Sequence, residues 1–185
     1  GLVAADVDEL TAALVESKDD QGRFDLEHWG REGMMNLTPL WLLKYLPNML
    51  ACHVTIIHDA QGPSNTITCG EASGGLSLAE SVRAIQRHKA DACYCGGAES
   101  KLNLMAFFRQ QLTGRLCTTG NDDPAAAVRP WSTDAAGTAL GEGGGIVVVE
   151  AADTAARRGA RPYAEVRGFA ATMSFAPDAG GLEPE

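Results

Sequence analysis

The sequence predicts an α/β fold, and two stretches carry that prediction. In the first, a segment rich in β-branched residues at 65–69 precedes a helix at 76–88, whose apolar residues recur at helical spacing. A buried strand at 90–95 follows and ends at Gly96-Gly97. In the second, residues 146–150 form an apolar run typical of a central strand. A strand, a helix and a strand in succession favour a right-handed parallel crossover.

A sharp bend of small residues, 70–75, joins the first strand to the helix and forms an elbow. A side chain at such an elbow lies beside unpaired backbone N–H groups at the positive end of the helix, where nucleophiles are favoured. Here the elbow holds Glu71. We expect its carboxylate to accept those N–H groups and to fill the elbow from inside. A plain helix-start acid without a further role is the alternative.

Composition excludes several classes of protein. The chain has 185 residues and a net charge of −9, which argues against a general nucleic-acid binder with a basic face. No apolar run reaches the ~18 residues of a membrane span, and the first residues carry no basic segment typical of a signal peptide. The cysteines lie in apolar contexts without metal-ligand spacing, as Cys93 and Cys95 illustrate. We therefore expect one cytoplasmic domain, or most of one, with no metal and no cofactor.

Periodicity and turn residues divide the rest of the chain. Before the elbow, we predict a helix over 2–18, irregular chain over 24–33, a helix from 40 to about 52 that Pro47 kinks or divides, and an apolar segment at 53–58. The elbow unit spans 61–97, and a long covering loop follows at 99–140. A central strand, a helix and a strand lie within 141–169, and a mobile tail covers 170–185. The helix and strand of the 141–169 unit are predicted at 153–158 and 163–169.

Short motifs along nearly the whole chain match a known family in order and with almost no gaps. They are Asn48-Met49, His53, Thr55-Ile56, Gly62-Pro63-Ser64, Ser73-Gly74, Gly96-Gly97-Ala98-Glu99, Asn121-Asp122, Pro124, Arg129-Pro130-Trp131, Leu140-Gly141-Glu142-Gly143, Gly159-Ala160 and Gly168-Phe169. The chain thereby resembles the middle of an elongating β-ketoacyl-acyl-carrier-protein synthase. The resemblance implies a thiolase-like fold of alternating α-β-α-β-α layers and an obligate dimer. Of this fold, the chain would hold mainly the second part of the N-terminal half.

The resemblance also implies a reaction, and this chain departs from it at two places. Family members load an acyl group onto a cysteine at the elbow, and two histidines help a malonyl-carrier protein lose carbon dioxide before the carbanion attacks the thioester. A register without gaps puts Glu71 at the cysteine position, where a carboxylate cannot replace the thiolate. Cys69 could serve as nucleophile only if the register shifted. The two histidines belong to a region that these 185 residues lack, so we expect a piece of a longer protein.

Loss of the elbow cysteine is itself a theme of the family. Chain-length factors of aromatic polyketide systems commonly carry glutamine there, pair with an active synthase and help shape its tunnel. The residues from Glu71 to Leu76 are similar to that branch, as are residues 112–116, 141–145 and 174–177. Loading-module ketosynthases also carry glutamine and decarboxylate without condensing. Glu71 suits that role poorly, because its charge repels a malonyl carboxylate.

Further candidate residues follow from the resemblance. Leu40 and Trp41 lie where the family lines its acyl tunnel, although ordinary core packing is as good an interpretation. Phe107 and Phe108 lie near the gating loop, but the glycines that let this gate swing are missing. Arg115 and Arg129 could face an acidic carrier protein or form ion pairs with nearby aspartates at 122, 123 or 134. The dimer-edge strand of the family corresponds to Asn65, Thr66, Ile67 and Thr68.

Three functions remain open at this point. The first is a non-condensing ketosynthase-like subunit of fatty-acid or polyketide biosynthesis, which acts on acyl-carrier protein, pairs with a cysteine-bearing ketosynthase or with itself, and shapes acyl chain length. The second is an active β-ketoacyl synthase that uses Cys69, or a malonyl decarboxylase. The third is a non-catalytic homodimeric scaffold, in which bulky residues near Trp41 and Phe108 would plug the tunnel.

Overall fold

The computed structural model describes residues 7–173, apart from the side chains of residues 7, 44 and 45. Its helices are α1 (Val7–Val15), α2 (Leu26–Arg31), α3 (Met49–Ile57), α4 (Ser73–Gln86), α5 (Leu104–Leu112), α6 (Pro124–Ala127) and α7 (Ala152–Arg157). Its strands are β1 (Ala92–Ser100) and β2 (Glu142–Glu150), and 3₁₀ turns lie at Gly33–Asn36, Trp41–Tyr45 and Gly70–Ala72. In this range, no helix has the length and apolar character needed to cross a membrane.

The sheet pairs β1 with β2 in antiparallel orientation. Ala92 faces Glu150 at one end of the ladder, and Ser100 faces Glu142 at the other. Every residue of each strand therefore has a partner in the other, although a long connection separates the two strands in the sequence.

Glycines let the two strands approach closely at the middle of the ladder. A Cβ atom on Gly96 would overlap the carbonyl oxygen of Gly145, and one on Gly144 would lie 2.5 Å from the Cβ of Ala98. The Gly96-Gly97 pair lies inside β1. The prediction that this pair ends the strand was wrong.

Helix α4 packs against β1 through a serine that bridges the two elements. The Ser77 hydroxyl accepts a hydrogen bond from the backbone N–H of Gly96 at 3.2 Å and lies 2.9 Å from the carbonyl oxygen of the same residue. Ala79 and Ser81 are buried on the same helix. This contact places the beginning of α4, and with it the elbow, beside the sheet.

A smaller unit forms at the N-terminal side, where α1 and α2 both pack against the 3₁₀ turn at Gly33–Asn36. Asp25 caps α2, because its carboxylate accepts a hydrogen bond from the backbone N–H of His28 at 2.8 Å. The Ser17 hydroxyl donates to the carbonyl oxygen of Ala13 at 2.5 Å, and both residues are fully buried. A Cβ atom on Gly33 would overlap that hydroxyl, so only glycine fits there.

Three strand predictions were wrong. Residues 65–69 and 163–169 belong to no strand, so the parallel crossover predicted between 65–69 and 90–95 does not form. Strand β1, which contains most of residues 90–95, instead pairs with β2 in antiparallel orientation. A strand needs a neighbouring chain to bond its backbone groups. Within residues 7–173, no strand lies beside either segment. The β-branched composition of residues 65–69 and the alternating pattern of residues 163–169 therefore do not make these segments strands.

The helix predictions fared better. Pro47 does divide the helix predicted from residue 40, since a 3₁₀ turn precedes it and α3 follows, taking in most of the apolar segment 53–58. The helices predicted at 76–88 and 153–158 are confirmed as α4 and α7. Residues 24–33 are not irregular, because Asp25 starts α2, and the loop predicted at 99–140 contains α5 and α6. Residues 2–6 of the first helix and 174–185 of the tail lie outside the described residues.

The sheet leaves apolar side chains open on both of its faces. Ile146, Val147 and Val148 are 47%, 56% and 56% exposed, although they form the run predicted as a central strand. Successive residues of a strand point to opposite faces. The described residues therefore cover neither face of β2 completely.

Candidate site at the elbow

The elbow is a 3₁₀ turn that runs directly into α4. Gly70 has a φ of +58°, a conformation that side chains other than glycine's rarely adopt, and it lets the chain reverse direction here. The Ser73 hydroxyl closes the turn: it accepts a hydrogen bond from the backbone N–H of Cys69 at 2.8 Å and donates to the carbonyl oxygen of Gly70 at 2.7 Å. The sequence predicted the bend but not that Ser73 closes it. A serine at the start of a helix is only a weak signal for such hydrogen bonds.

The Glu71 carboxylate lies between two cations. Its Oε1 atom accepts a hydrogen bond from Lys101 Nζ at 3.2 Å and lies 3.7 Å from Arg115 Nη1. Lys101 Nζ is also 3.9 Å from Oε2 of Glu99. We call these four residues the elbow cluster. The sequence predicted Glu71 at the elbow but no partner for it, because Lys101 and Arg115 come from later segments.

Backbone hydrogen bonds hold the main chain at both cations. Lys101 follows β1, and its N–H donates to the carbonyl oxygen of Gly141 at 3.0 Å, so the residue extends the β1–β2 ladder. Arg115 follows the end of α5. Its N–H donates to the carbonyl oxygen of Gln110 at 3.0 Å, and its carbonyl oxygen accepts from the N–H of Thr138 at 2.8 Å. Each cation therefore belongs to an ordered segment.

The cluster keeps Glu71 ionised. The pKa of its carboxyl lies below the ordinary value, because its own backbone N–H and then Lys101 hydrogen-bond the carboxylate, while the charges of Lys101 and Arg115 act in the same direction. An ionised carboxylate accepts hydrogen bonds and cannot donate a proton. The residue can hold cations or repel anions at neutral pH.

The sequence predicted that Glu71 caps the start of α4, and this prediction was wrong. The helix has no side-chain cap at its start, and the carboxylate instead meets its own N–H and the two cations. The side chain is 69% exposed, so it lies across the outside of the elbow and does not fill it from within. Its contacts with Lys101 and Arg115 thus take the place of a cap on α4.

Cys69, the alternative nucleophile, precedes the turn. It is exposed, and its backbone is tied to Ser73, two residues past the Glu71 position. The thiol therefore belongs to the entry of the elbow, while the first position inside the turn after Gly70 carries Glu71.

The predicted tunnel residues lie on two elements. Leu40 precedes the 3₁₀ turn that Trp41 begins; it is exposed and has a φ of +61°. Phe107 and Phe108 are neighbours on α5, with their rings edge to face and 6.1 Å apart. Helix α5 ends shortly before Arg115, so the helix with these aromatic residues leads directly into the elbow cluster. Their role in a tunnel stays a prediction.

The predicted dimer-edge residues border a cleft. Asn65 and Thr66, together with Ser64, line a cleft of about 490 Å³ whose other wall is the start of α3. That wall consists of Pro47, Asn48, Ala51 and Cys52. Ile67 and Thr68 continue toward Cys69 without strand structure. Pairing of this segment with a partner chain stays a prediction.

Of the two arginines that the sequence singled out, each makes an ion pair within the chain. Arg129 Nη1 lies 2.7 Å from Oδ2 of Asp134, one of the predicted partners. Arg115 binds Glu71, which was not among them.

Residues 26–155 match the family described as Beta-ketoacyl synthase, N-terminal domain. The chain belongs to this family. The matched ketosynthase region contains the whole elbow cluster. Because the family match and the solved structures below agree, the predicted thiolase-like α/β fold is confirmed, with the chain holding part of it.

Curated relatives of this ketosynthase domain carry one kind of name. A mitochondrial 3-oxoacyl-[acyl-carrier-protein] synthase of Arabidopsis thaliana is 35% identical over 74% of this chain and 30% of the relative. A 3-oxoacyl-[acyl-carrier-protein] synthase 2 of Staphylococcus aureus is 34% identical over 83% of this chain and 42% of the relative. The chain thus spans less than half the length of these curated relatives.

Two solved structures share the fold. A β-ketoacyl synthase from Burkholderia phymatum STM815 superposes with a TM-score of 0.63 and 26% identity, over 69% of this chain and 31% of that one. The complex AntDE:AntF, a type II PKS acyl-carrier protein with its ketosynthase bound to the hexaketide, gives a TM-score of 0.62 over 86% of this chain and 38% of that one. At 21% identity, the second likeness shows the fold alone.

Proposed function

We propose that this ketosynthase domain belongs to a non-condensing subunit of fatty-acid or polyketide biosynthesis, which pairs with a cysteine-bearing ketosynthase and helps to set acyl chain length. One observation carries the proposal: the elbow holds an ionised glutamate bound by Lys101 and Arg115. The names of the relatives support acyl-carrier protein as the partner that delivers the chain.

The chemistry of a carboxylate supports the proposal. A condensing enzyme must hold its acyl group as a thioester that survives until a carbanion attacks. An acyl group on Glu71 would be an anhydride, which water hydrolyses. The carboxylate would also have to leave both cations of the elbow cluster before it could attack, and that loss disfavours the step. We therefore expect no lasting acyl-enzyme at Glu71.

The pairing and the chain-length role rest on the branch that the sequence resembles. Residues 65 and 66 line the cleft beside α3, and residues 65–68 offer backbone groups that no strand of the described residues uses. A partner chain could add a strand to this segment. A cytoplasmic location, which the sequence predicted, remains part of the proposal.

The deciding experiment incubates the complete protein with malonyl- and acyl-loaded carrier protein and measures intact mass. We expect no acyl adduct on the wild type, and chain extension only after a cysteine-bearing ketosynthase is added. We expect Glu71→Cys to gain an adduct on the introduced thiol, because that thiol would sit at the helix start beside two cations.

Cys69→Ser is the matched control. An adduct on the wild type that disappears in Cys69→Ser would overturn the proposal in favour of an active synthase. Carbon dioxide release without an adduct would overturn it in favour of a malonyl decarboxylase. If the protein forms a homodimer and neither transfers an acyl chain nor changes its length when the ketosynthase is present, the non-catalytic scaffold is the remaining function.

A further inference from the structure

We infer that Lys101 and Arg115 form a carboxylate-binding site, which Glu71 occupies from within the chain and which accepts a small carboxylate once the Glu71 side chain is removed. The inference deepens the proposed function and rests on it for one point, namely that the elbow faces acyl groups. In the native protein, Glu71 would then close the elbow to acyl groups that end in a carboxylate.

The first argument is the geometry of the two cations. Both approach the same oxygen atom of Glu71, Lys101 at 3.2 Å and Arg115 at 3.7 Å. They come from different segments of the chain, one after β1 and one after α5. An ordinary surface pair, such as Arg157 with Asp153, joins neighbours on one helical turn. The elbow cluster instead converges on a point in space, as a binding site does.

The second argument is that the main chain at both cations is held in place without Glu71. The backbone of Lys101 is bonded to Gly141, and that of Arg115 is bonded to Gln110 and Thr138. Gly137, next to Thr138, has no room for a side chain, because a Cβ atom would lie 2.8 Å from the carbonyl oxygen of Arg115. Removal of the Glu71 side chain should therefore leave the main chain of both residues in place, with both cations within reach of the elbow.

The third argument is the balance of charge. The elbow cluster contains two cations and two carboxylates. The distance between Lys101 Nζ and Oε2 of Glu99 is 3.9 Å, which is too long for a hydrogen bond. Without Glu71, the cluster carries one excess positive charge, and Lys101 lacks its hydrogen-bonded carboxylate. A carboxylate from solution can restore both the charge and the hydrogen bond.

The experiment measures binding of acetate and malonate to the complete protein by calorimetry and by thermal unfolding, with sodium chloride at equal ionic strength as reference. We expect Glu71→Ala to bind malonate about tenfold more tightly than the wild type does, which corresponds to one charge-assisted hydrogen bond. The gain should disappear in the double variants Glu71→Ala/Lys101→Met and Glu71→Ala/Arg115→Met.

Asp134→Ala is the matched control, because it frees a single arginine, Arg129, from its carboxylate. In this variant, malonate should bind and stabilise the protein no more than chloride does. If Glu71→Ala does not fold, Glu71→Gln keeps the shape of the side chain, and malonate should then protect Lys101 from amine-reactive labelling more than in the wild type.

Two outcomes would overturn the inference: equal effects of malonate and chloride on the Glu71 variants, or a gain that persists without Lys101. Neither outcome bears on acyl transfer, which the intact-mass experiment tests separately. An adduct on Cys69 would overturn the proposed function and leave the binding result unchanged.

Discussion

Glu71 joins three segments that lie far apart in the sequence. Its carboxylate connects the elbow before α4, the end of β1 and the chain that follows α5, through Lys101 and Arg115. The residue that the resemblance aligns with the family's nucleophile is therefore engaged in ion pairs within the chain. This engagement explains why a carboxylate can stand at a helix start without capping it.

The ion pairs of Glu71 predict a pH-dependent contribution to stability. Replacing Glu71 by glutamine should lower the free energy of unfolding by at most about 1 kcal/mol at pH 7, because exposed pairs are screened by solvent. The pKa of Glu71 is lowered in the folded state, so its contribution is present above the unfolded-state pKa of about 4.3. It is lost as the pH falls through the lower folded-state value. Urea unfolding of both proteins between pH 7 and pH ~3 measures the difference.

A double-variant cycle provides the control for this prediction. In a protein that already carries Lys101→Met and Arg115→Met, the further change of Glu71 to glutamine should have a smaller pH-dependent effect, because only the backbone N–H of Glu71 still lowers the pKa of its carboxyl. A difference between wild type and Glu71→Gln that stays constant down to the lowest pH would contradict the assignment of the ion pairs.

The sequence located the centre of the site but not its surroundings. The bend of small residues before a periodic helix was enough to place Glu71 at the elbow, because this pattern is local. Lys101 reaches Glu71 only through the β1–β2 ladder, and Arg115 only through the end of α5. These neighbours depend on tertiary structure that a single sequence does not reveal.

Several helices end in the same type of cap, in which the residue after the C-cap has positive φ. In α5 and α7 this residue is glycine, Gly114 and Gly159, while α3 and α4 use Asp59 and His88. After α4, the N–H of Lys89 donates to the carbonyl oxygen of Ala84 at 2.9 Å, which is the hydrogen bond of a Schellman motif. Two helices therefore end at a strained residue.

His88→Gly should raise the free energy of unfolding by about 1 kcal/mol, because glycine adopts the φ of +54° without strain. Gly114→Ala, at the same position after α5, should lower it by about 1 kcal/mol and loosen the segment that carries Arg115. Urea unfolding followed by circular dichroism measures both. Changes of equal sign would show that backbone strain does not decide stability at these positions.

Helices were predicted better than strands for a physical reason. A helix satisfies its backbone groups within one segment, so the apolar spacing of residues 76–88 was sufficient to predict α4. Residues 65–69 have the composition of a strand, but they lack a neighbouring strand within residues 7–173. The same composition can therefore form a strand when a partner chain supplies the hydrogen bonds.

At the scale of the whole molecule, the described residues form part of a larger layered fold. The chain spans 30% and 42% of two of its curated relatives, and the sheet shows partly exposed apolar side chains on both faces. In a fold of alternating α and β layers, a central strand is covered on both sides. We expect further layers to cover β2 in the complete protein.

Val147→Thr and Val148→Thr test this expectation, because threonine has nearly the shape of valine and the two positions lie on opposite faces of β2. In the complete protein, each change should lower the free energy of unfolding by about 1–3 kcal/mol, since each would bury a hydroxyl without a partner. Denaturant unfolding of both variants gives the comparison. A cost at only one position would indicate that one face of β2 stays in contact with water.

The elbow cluster has a consequence for how this lineage can evolve. Backbone hydrogen bonds hold the main chain at Lys101 and Arg115, and none of them involves position 71. A thiol placed between two cations ionises more readily than a free one. We expect the surroundings of position 71 to favour a thiolate as they favour a carboxylate. An inherited change of Glu71 to cysteine would then place a reactive thiol at the elbow.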